Sequence, residues 1–216
     1  MFGVIFDFDG VLVDSISTVQ RILSHIAPEF GVDLTPEERE ACRHHPVEVQ
    51  VRRWNALRGT HIDYRDVTRR YIEEESAYLK THSILFPGAI PLLRSLKEKS
   101  VPLAIATSAP RKRVEHILSI SKIDSFFDAV VAVEDVQNPK PSPEPYLLAA
   151  QKLGIPPARC VGIEDTLTGL RSIFSAGMKS VAILNEGLSL EAAANATLKV
   201  NALSELSYAA LSELFT

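Results

Sequence analysis

Two carboxylates spaced i, i+2, Asp7 and Asp9, end an apolar run, Val4-Ile5-Phe6, and Gly10 follows them. Such a run suits a strand buried on both faces. A buried strand has no use for acids, so the pair is placed just past its carboxyl end, where an open α/β sheet binds ligands. Gly10 lets the chain turn sharply there. Two acids on one short loop can hold a hard cation through oxygen. Alternatively, one can attack an electrophile while the other moves a proton. Taken alone, the stretch is equally a polar turn after a strand.

Three further strand ends carry polar residues of complementary kinds. Thr107 and Ser108 follow Val101 to Ala106. Lys140 lies in the proline-rich loop after Ala129 to Val133. Glu164 and Asp165 follow Cys160 to Ile163. Each has a bland alternative: a helix cap for Thr107 or Ser108, one more exposed lysine for Lys140, a solvated turn for the acids. In a parallel sheet, however, all four ends share one edge. Carboxylates around Mg²⁺ supply the hard oxygen ligands it prefers. Lys140 and the metal would compensate charge on a transferring phosphoryl group. The Thr107 hydroxyl and the amides opening the next helix can donate to phosphate oxygens. Asp7 would then form an aspartyl-phosphate, splitting the reaction into two easier steps.

The elements that must position these groups fall into two styles. From about residue 15 to 84 the apolar periodicity is helical throughout. Ile16, Val19, Ile22, Leu23, Ile26 and Phe30 mark one helix that stops by Gly31. Thr35-Pro36-Glu37-Glu38 forms a capping-box start to another, which breaks near His45-Pro46. Two more patterns follow, through Trp54 and through Tyr71. From Phe86-Pro87-Gly88 onward, strands and helices alternate: strands at 101–106, 129–133, 160–163, 181–184 and 198–200, and a closing helix from Leu203 to Leu214. Alternation implies right-handed crossovers and a parallel sheet. The expected class is α/β: a Rossmann-like, doubly wound parallel sheet core with an inserted all-helical cap. The core takes residues 1–14 and 86–216, and the cap takes 15–85.

The residues that carry the chemistry also resemble a known family. Asp7-Phe8-Asp9-Gly10-Val11-Leu12-Val13-Asp14-Ser15 resembles the first motif of the haloacid dehalogenase superfamily, and Thr107-Ser108 its second. Lys140 in Asn138-Pro139-Lys140-Pro141-Ser142-Pro143-Glu144-Pro145-Tyr146 resembles the third. Gly162-Ile163-Glu164-Asp165-Thr166, with Gly169 and Ala176-Gly177-Met178, resembles the fourth. The helical insertion is similar to the cap of the β-phosphoglucomutase and phosphoglycolate phosphatase-like branch. This resemblance implies that Asp7 is the nucleophile and a metal ligand. Asp9 is general acid and then base, its backbone carbonyl on Mg²⁺. Thr107 and the Ser108 amide hold the phosphate, and Lys140 bridges nucleophile and phosphate. Asp165 is the direct metal ligand of the fourth motif, with Glu164 in the metal site nearer its outer shell. The acid at position 9 disfavours dehalogenation, since a halide leaves without protonation.

In the cap, Arg43, His44 and His45 stand where a glycine-containing substrate loop is expected, so Arg43 and His44 are candidate substrate contacts. Val47 stands where the mutases of the branch carry a basic residue. That favours a phosphatase over a sugar phosphomutase, although Arg52 or Arg53 offers a substitute cation. Arg111, opening the helix after the second motif, is a weaker candidate contact, with an exposed helix charge as its alternative.

Composition bounds the rest. A net charge of −4 without long single-sign runs argues against a nucleic-acid polymer or a membrane surface as partner. No apolar stretch is long enough to span a bilayer, and the first residues lack a signal peptide's pattern. Cys42 and Cys160, far apart, read as reduced thiols. The expectation is a cytoplasmic monomer or weak dimer acting on a small phosphorylated metabolite with Mg²⁺.

Overall fold

The computed structural model describes residues 1–42, 46–185 and 187–216. The chain divides into two compact units, Asp14–Ile84 and Met1–Val13 with Leu85–Thr216.

The larger unit is built on a six-stranded sheet: β1 (Gly3–Phe6), β2 (Leu103–Ala106), β3 (Ala129–Val131), β4 (Cys160–Glu164), β5 (Lys179–Ile183) and β6 (Leu198–Val200). The order is β3-β2-β1-β4-β5-β6 and every pairing is parallel. Strand β1 is central, with Val4 opposite Leu103 on one side and Val161 on the other. It is buried along its whole length, as are β2 and β4, so these runs carry no polar alternation. The chain's direction of travel across the sheet reverses between β1 and β4, the kind of crevice where doubly wound sheets bind ligands.

The helices spanning 144–153 and 167–175 pack against this sheet. The helices in the smaller unit come first in the chain, as α1 (Ser15–Ile26), α2 (Pro36–Ala41), α3 (Val47–Arg58) and α4 (Tyr64–Leu79); then come α5 (Ala89–Glu98), α6 (Arg111–Ile120), α7 (Glu144–Leu153), α8 (Leu167–Ser175) and α9 (Tyr208–Glu213). Tyr146, Ala149 and Ala150 of α7 and Leu170 and Ile173 of α8 pack with Ile5, Ala104, Ala106 and Ala182 of the sheet in one buried cluster. Small residues on the strands let these helices approach closely.

The smaller unit is helical among its described residues. Asp14 caps α1 by accepting from the Ser17 amide. Helix α2 opens on the complete capping box read in the sequence: the Glu38 amide donates to Thr35 Oγ1, and the Thr35 amide donates to Glu38 Oε2. Its core gathers Leu23, Ile26, Trp54, Val67 and Tyr71.

Element boundaries differ from expectation where a local group intervenes. The first helix ends at Ile26 and finishes as a 3₁₀ turn, Ala27–Phe30, because Pro28 has no amide to continue the α-helical ladder. Strand β2 starts at Leu103, beyond Pro102, whose carbonyl accepts from Val4. Strand β3 stops at Val131, and Val133–Asp135 turns into a 3₁₀ segment. The expected closing helix is two pieces: a 3₁₀ turn at Leu203–Glu205, then α9, restarted by Ser207, whose hydroxyl accepts from the Ala210 amide.

Candidate active site at the carboxyl edge of the sheet

The site assembles where β1 and β4 end side by side. Phe6, the last residue of β1, is in register with Ile163, and the Asp7 amide donates to the Ile163 carbonyl at 2.9 Å. Asp7 and Asp165 leave adjacent strands on the same edge. Gly10 makes the close approach possible. Its φ is +83°, and a Cβ there would lie 2.0 Å from Asp165 Oδ2.

Lys140, carried by the loop between β3 and α7, reaches across to this point. Its ammonium donates to Asp7 Oδ1 at 2.7 Å and to Glu164 Oε1 at 2.6 Å, with the side chain only 6% exposed. The Tyr146 hydroxyl donates to the same Glu164 oxygen at 3.1 Å, and its ring centroid is 5.0 Å from the ammonium. Glu164 Oε2 accepts from the Asp165 amide, the Thr166 amide and the Thr166 hydroxyl. Both Glu164 oxygens are thus engaged by protein donors. Its geometry is that of a group that orients Lys140 and the turn into α8, which sets it apart from Asp7 and Asp165. Helix α8 presses close here: a Cβ on Gly169 would fall 1.8 Å from Glu164 Oε1.

Electrostatics make this pocket incomplete. Among the described residues it holds three carboxylates, Asp7, Glu164 and Asp165, against one ammonium, Lys140. Burial pushes the Asp7 carboxyl well above its ordinary value despite the pull of Lys140, and the Glu164 and Asp165 charges add to the rise. Burial, then the Glu164 charge, pushes Asp165 up to about 7. Burial opposes the Lys140 charge, yet Asp7 and Glu164 outweigh it and hold the ammonium above its ordinary value. Asp165 Oδ1 is buried and, among the described residues, has no hydrogen-bond partner. One oxygen from each of the three acids lies within 4.8 Å of the others. An orphaned carboxylate oxygen in a cluster of excess negative charge fits a hard divalent cation.

The phosphate-binding candidates sit on the next strand. Thr107 follows β2 and is buried, its amide donating to the Val131 carbonyl and its Oγ1 accepting from the Ala109 amide at 3.0 Å. That contact leaves the hydroxyl proton to donate elsewhere. Ser108 is exposed. Asp9, on the loop after β1, accepts from Arg113 Nη1 at 2.8 and 3.1 Å.

Several expectations change. Arg111 is not a loose helix charge. It is clamped to Asp135, to Glu115 and to the Val130 carbonyl, tying α6 to the end of β3. Arg43, His44 and His45 lie outside the described residues. Arg52 pairs with Glu48 on the outer face of α3, its side chain 74% exposed.

Two residues at the site, Arg113 and Asn185, escaped the sequence reading, and Tyr146 entered it only as the end of the third motif, with no role. Asn185 follows β5 and donates to Asp165 Oδ2 at 3.0 Å and to the Asp165 carbonyl at 3.2 Å. It could have been found by applying the strand-end rule to the fifth strand. Tyr146 lies six residues beyond Lys140 on the inner face of α7, where it reads as core. Arg113 is separated from Arg111 only by helical phase.

Fold and site together define a doubly wound α/β protein with a buried acidic, lysine-bearing pocket at its switch point. Residues 4–183 match the model of the haloacid dehalogenase-like hydrolases, and the chain belongs to that family. Hexitol phosphatase A of Escherichia coli is 35% identical over 184 residues, covering 84% of this chain and 82% of that protein. A phosphorylated carbohydrates phosphatase of Thermotoga maritima is 30% identical over 215 residues, covering 92% and 94%. Another relative, a chloroplast protein of Arabidopsis thaliana, is matched over 18% of its length. Among solved structures, CbbY of Rhodobacter sphaeroides in complex with phosphate superposes with a TM-score of 0.78 at 28% identity, covering 98% of this chain and all of that one. The chain is a phosphoric monoester hydrolase of this family. Among the described residues, no helix is long and apolar enough to cross a membrane.

Proposed function

We propose that the chain is a Mg²⁺-dependent phosphatase of small phosphorylated metabolites, sugar and polyol phosphates first among them, acting through a phosphoenzyme on Asp7. The observation that carries the reading is the shared Lys140 ammonium between Asp7 and Glu164, beside the unpartnered oxygen of Asp165. Named relatives that act on phosphorylated carbohydrates and hexitols support the substrate class.

Asp7, Asp165 and the Asp9 main-chain carbonyl would hold the cation. When bound, it supplies positive charge to the phosphoryl oxygens and relieves the repulsion between carboxylate and phosphate. Thr107 and the amides opening α6 orient the phosphate by donating to its oxygens. A carboxylate oxygen of Asp7 forms the bond to phosphorus as the bond to the alcohol oxygen breaks. The departing oxygen takes a proton from Asp9. Lys140 offsets charge on the transferring group and holds Asp7 in line, and Glu164 with Tyr146 holds Lys140. Asp9 then removes a proton from the water that attacks the phosphorus and frees Asp7. The unit Asp14–Ile84 is proposed as the cap that selects the leaving group.

The test is a panel of phosphorylated metabolites assayed for free phosphate in Mg²⁺. Release that stops in EDTA and returns with added Mg²⁺ is expected. Turnover unaffected by EDTA contradicts the metal's role, and an isomeric sugar phosphate in place of free phosphate would make the chain a mutase.

A further inference from the structure

Two arginines stand two residues apart in the first turn of α6, and their partners differ. Arg111 is spent on Asp135, Glu115 and the Val130 carbonyl. Arg113 reaches instead to the β1 loop, a sequence separation of 104 residues, and its Nη1 bridges both oxygens of Asp9 at 2.8 and 3.1 Å. The loop's backbone is already tied down: the Gly10 amide donates to the Val13 carbonyl, and the Leu12 amide donates to the Phe8 carbonyl. The Asp9 side chain is not so confined. It is 32% exposed, against 11% for Asp7. A side chain that open keeps rotamer freedom unless a partner restricts it.

One nitrogen within bonding distance of both oxygens must lie near the axis of the carboxylate. It therefore draws the group end-on and fixes its direction. Each oxygen retains a further lone pair with which to meet an alcohol. We infer that Arg113 is a positioning residue for Asp9: it aims the carboxyl that protonates the departing alcohol, while itself touching neither phosphate nor nucleophile. The inference rests on the assignment of Asp9 as proton carrier made above. The competing role is a plain tie between α6 and the β1 loop.

Leaving-group chemistry separates the two. Departure of an alkoxide requires a proton, and departure of p-nitrophenolate does not. The parameter kcat/KM reports only the steps up to loss of the leaving group, so later hydrolysis of the phosphoenzyme does not enter. The enzyme, Arg113→Met, Arg113→Lys and Asp9→Asn are compared with p-nitrophenyl phosphate and with the alkyl phosphate of highest kcat/KM in the panel above. Asp9→Asn loses on the order of 10²–10⁴-fold on the alkyl ester. Arg113→Met loses roughly 10- to 100-fold there, part of the general-acid contribution, and retains its kcat/KM on p-nitrophenyl phosphate to within about threefold. Arg113→Lys loses less on the alkyl ester, because the contact to Asp9 runs through one nitrogen, Nη1.

An equal loss of Arg113→Met on both esters, or no loss on either, overturns the inference. If the methionine variant does not fold, the lysine variant decides by the same criterion: its loss must be confined to the alkyl ester. Unselective behaviour of Asp9→Asn itself removes the proton-carrier assignment and the Arg113 inference with it. Selective Asp9→Asn beside unselective Arg113→Met removes the inference alone.

Discussion

The two units handle charge in opposite ways. In Asp14–Ile84 each prominent ion pair is settled locally. Arg58 meets Glu38 and the Asp33 carbonyl, Arg70 lies between Glu29 and Glu74, Arg52 meets Glu48, and Arg69 meets Asp66. Four arginines meet five carboxylates, each acid with a cationic partner, and most of these groups remain partly in water, where pairs contribute little each. At the sheet edge, among the described residues, the acids are buried, outnumber their one ammonium and leave a carboxylate oxygen unpaired. Paired, solvated charges hold helices together; a buried acidic set with an unpartnered oxygen is arranged for something that arrives from outside. Perturbed carboxyls gathered in a cleft are a mark of chemistry for that reason.

Removing Lys140, the ammonium of the buried acidic cluster, should break this contrast most severely. Lys140→Met leaves Asp7 and Glu164 buried without their shared donor. Breaking one side of a buried ion pair costs about 3–5 kcal/mol. Turnover on p-nitrophenyl phosphate is expected to fall by at least about 10²-fold, because a group that stabilises the transferring charge is lost. Steady-state kinetics and denaturant melts measure the two effects. A Lys140→Met enzyme with wild-type turnover would mean that the ammonium serves folding alone.

A matching substitution in the helical unit should show the reverse pattern. Glu38→Ala removes one half of the capping box and the partner of Arg58. The expected destabilisation is about 1–3 kcal/mol, with kcat/KM for p-nitrophenyl phosphate within about twofold of wild type. Trp54, the only tryptophan, is buried in the helical core, so its fluorescence reports the melting of this unit. A large kinetic loss in a stable Glu38→Ala protein would erase the distinction between the units.

The smallest effect is a matter of pH. The Arg58 hydrogen bond, then the Thr35 amide, lowers Glu38 from 4.5 to about 2. A folded-state value below the unfolded one adds stability above the unfolded value, and that stability is lost as pH falls through the folded value. The gap between wild type and Glu38→Ala in the Trp54 melt should therefore be full above pH 4.5 and close toward pH 2. A gap unchanged at low pH would show that the carboxylate charge contributes nothing.

The parallel sheet and the site's location were legible because parallel strands demand unbroken apolar runs, so that acids, hydroxyls and a lysine stand out where those runs end. Asp7, Thr107, Lys140 and Asp165 could be gathered on one edge from that rule alone. Contacts decided by direction were not legible. Whether Arg111 or Arg113 faces the β1 loop depends on helical phase. Whether Glu164 offers an oxygen to a cation depends on Tyr146 and Thr166, whose donors occupy it first. Ser207 ends one helical turn and starts another within an apolar pattern that looks continuous. Asn185 follows an apolar strand as the others do, but an amide alone suggests no chemistry.

The central claim is that Asp7 is the atom donor to phosphorus. Acid quenching of the enzyme during turnover of a ³²P-labelled phosphate ester, followed by peptide mapping, tests it most directly. The account predicts label on the peptide carrying Asp7, and neither label nor phosphate release in Asp7→Asn. Label on another residue, or an Asp7→Asn enzyme that releases phosphate at the wild-type rate, would contradict it.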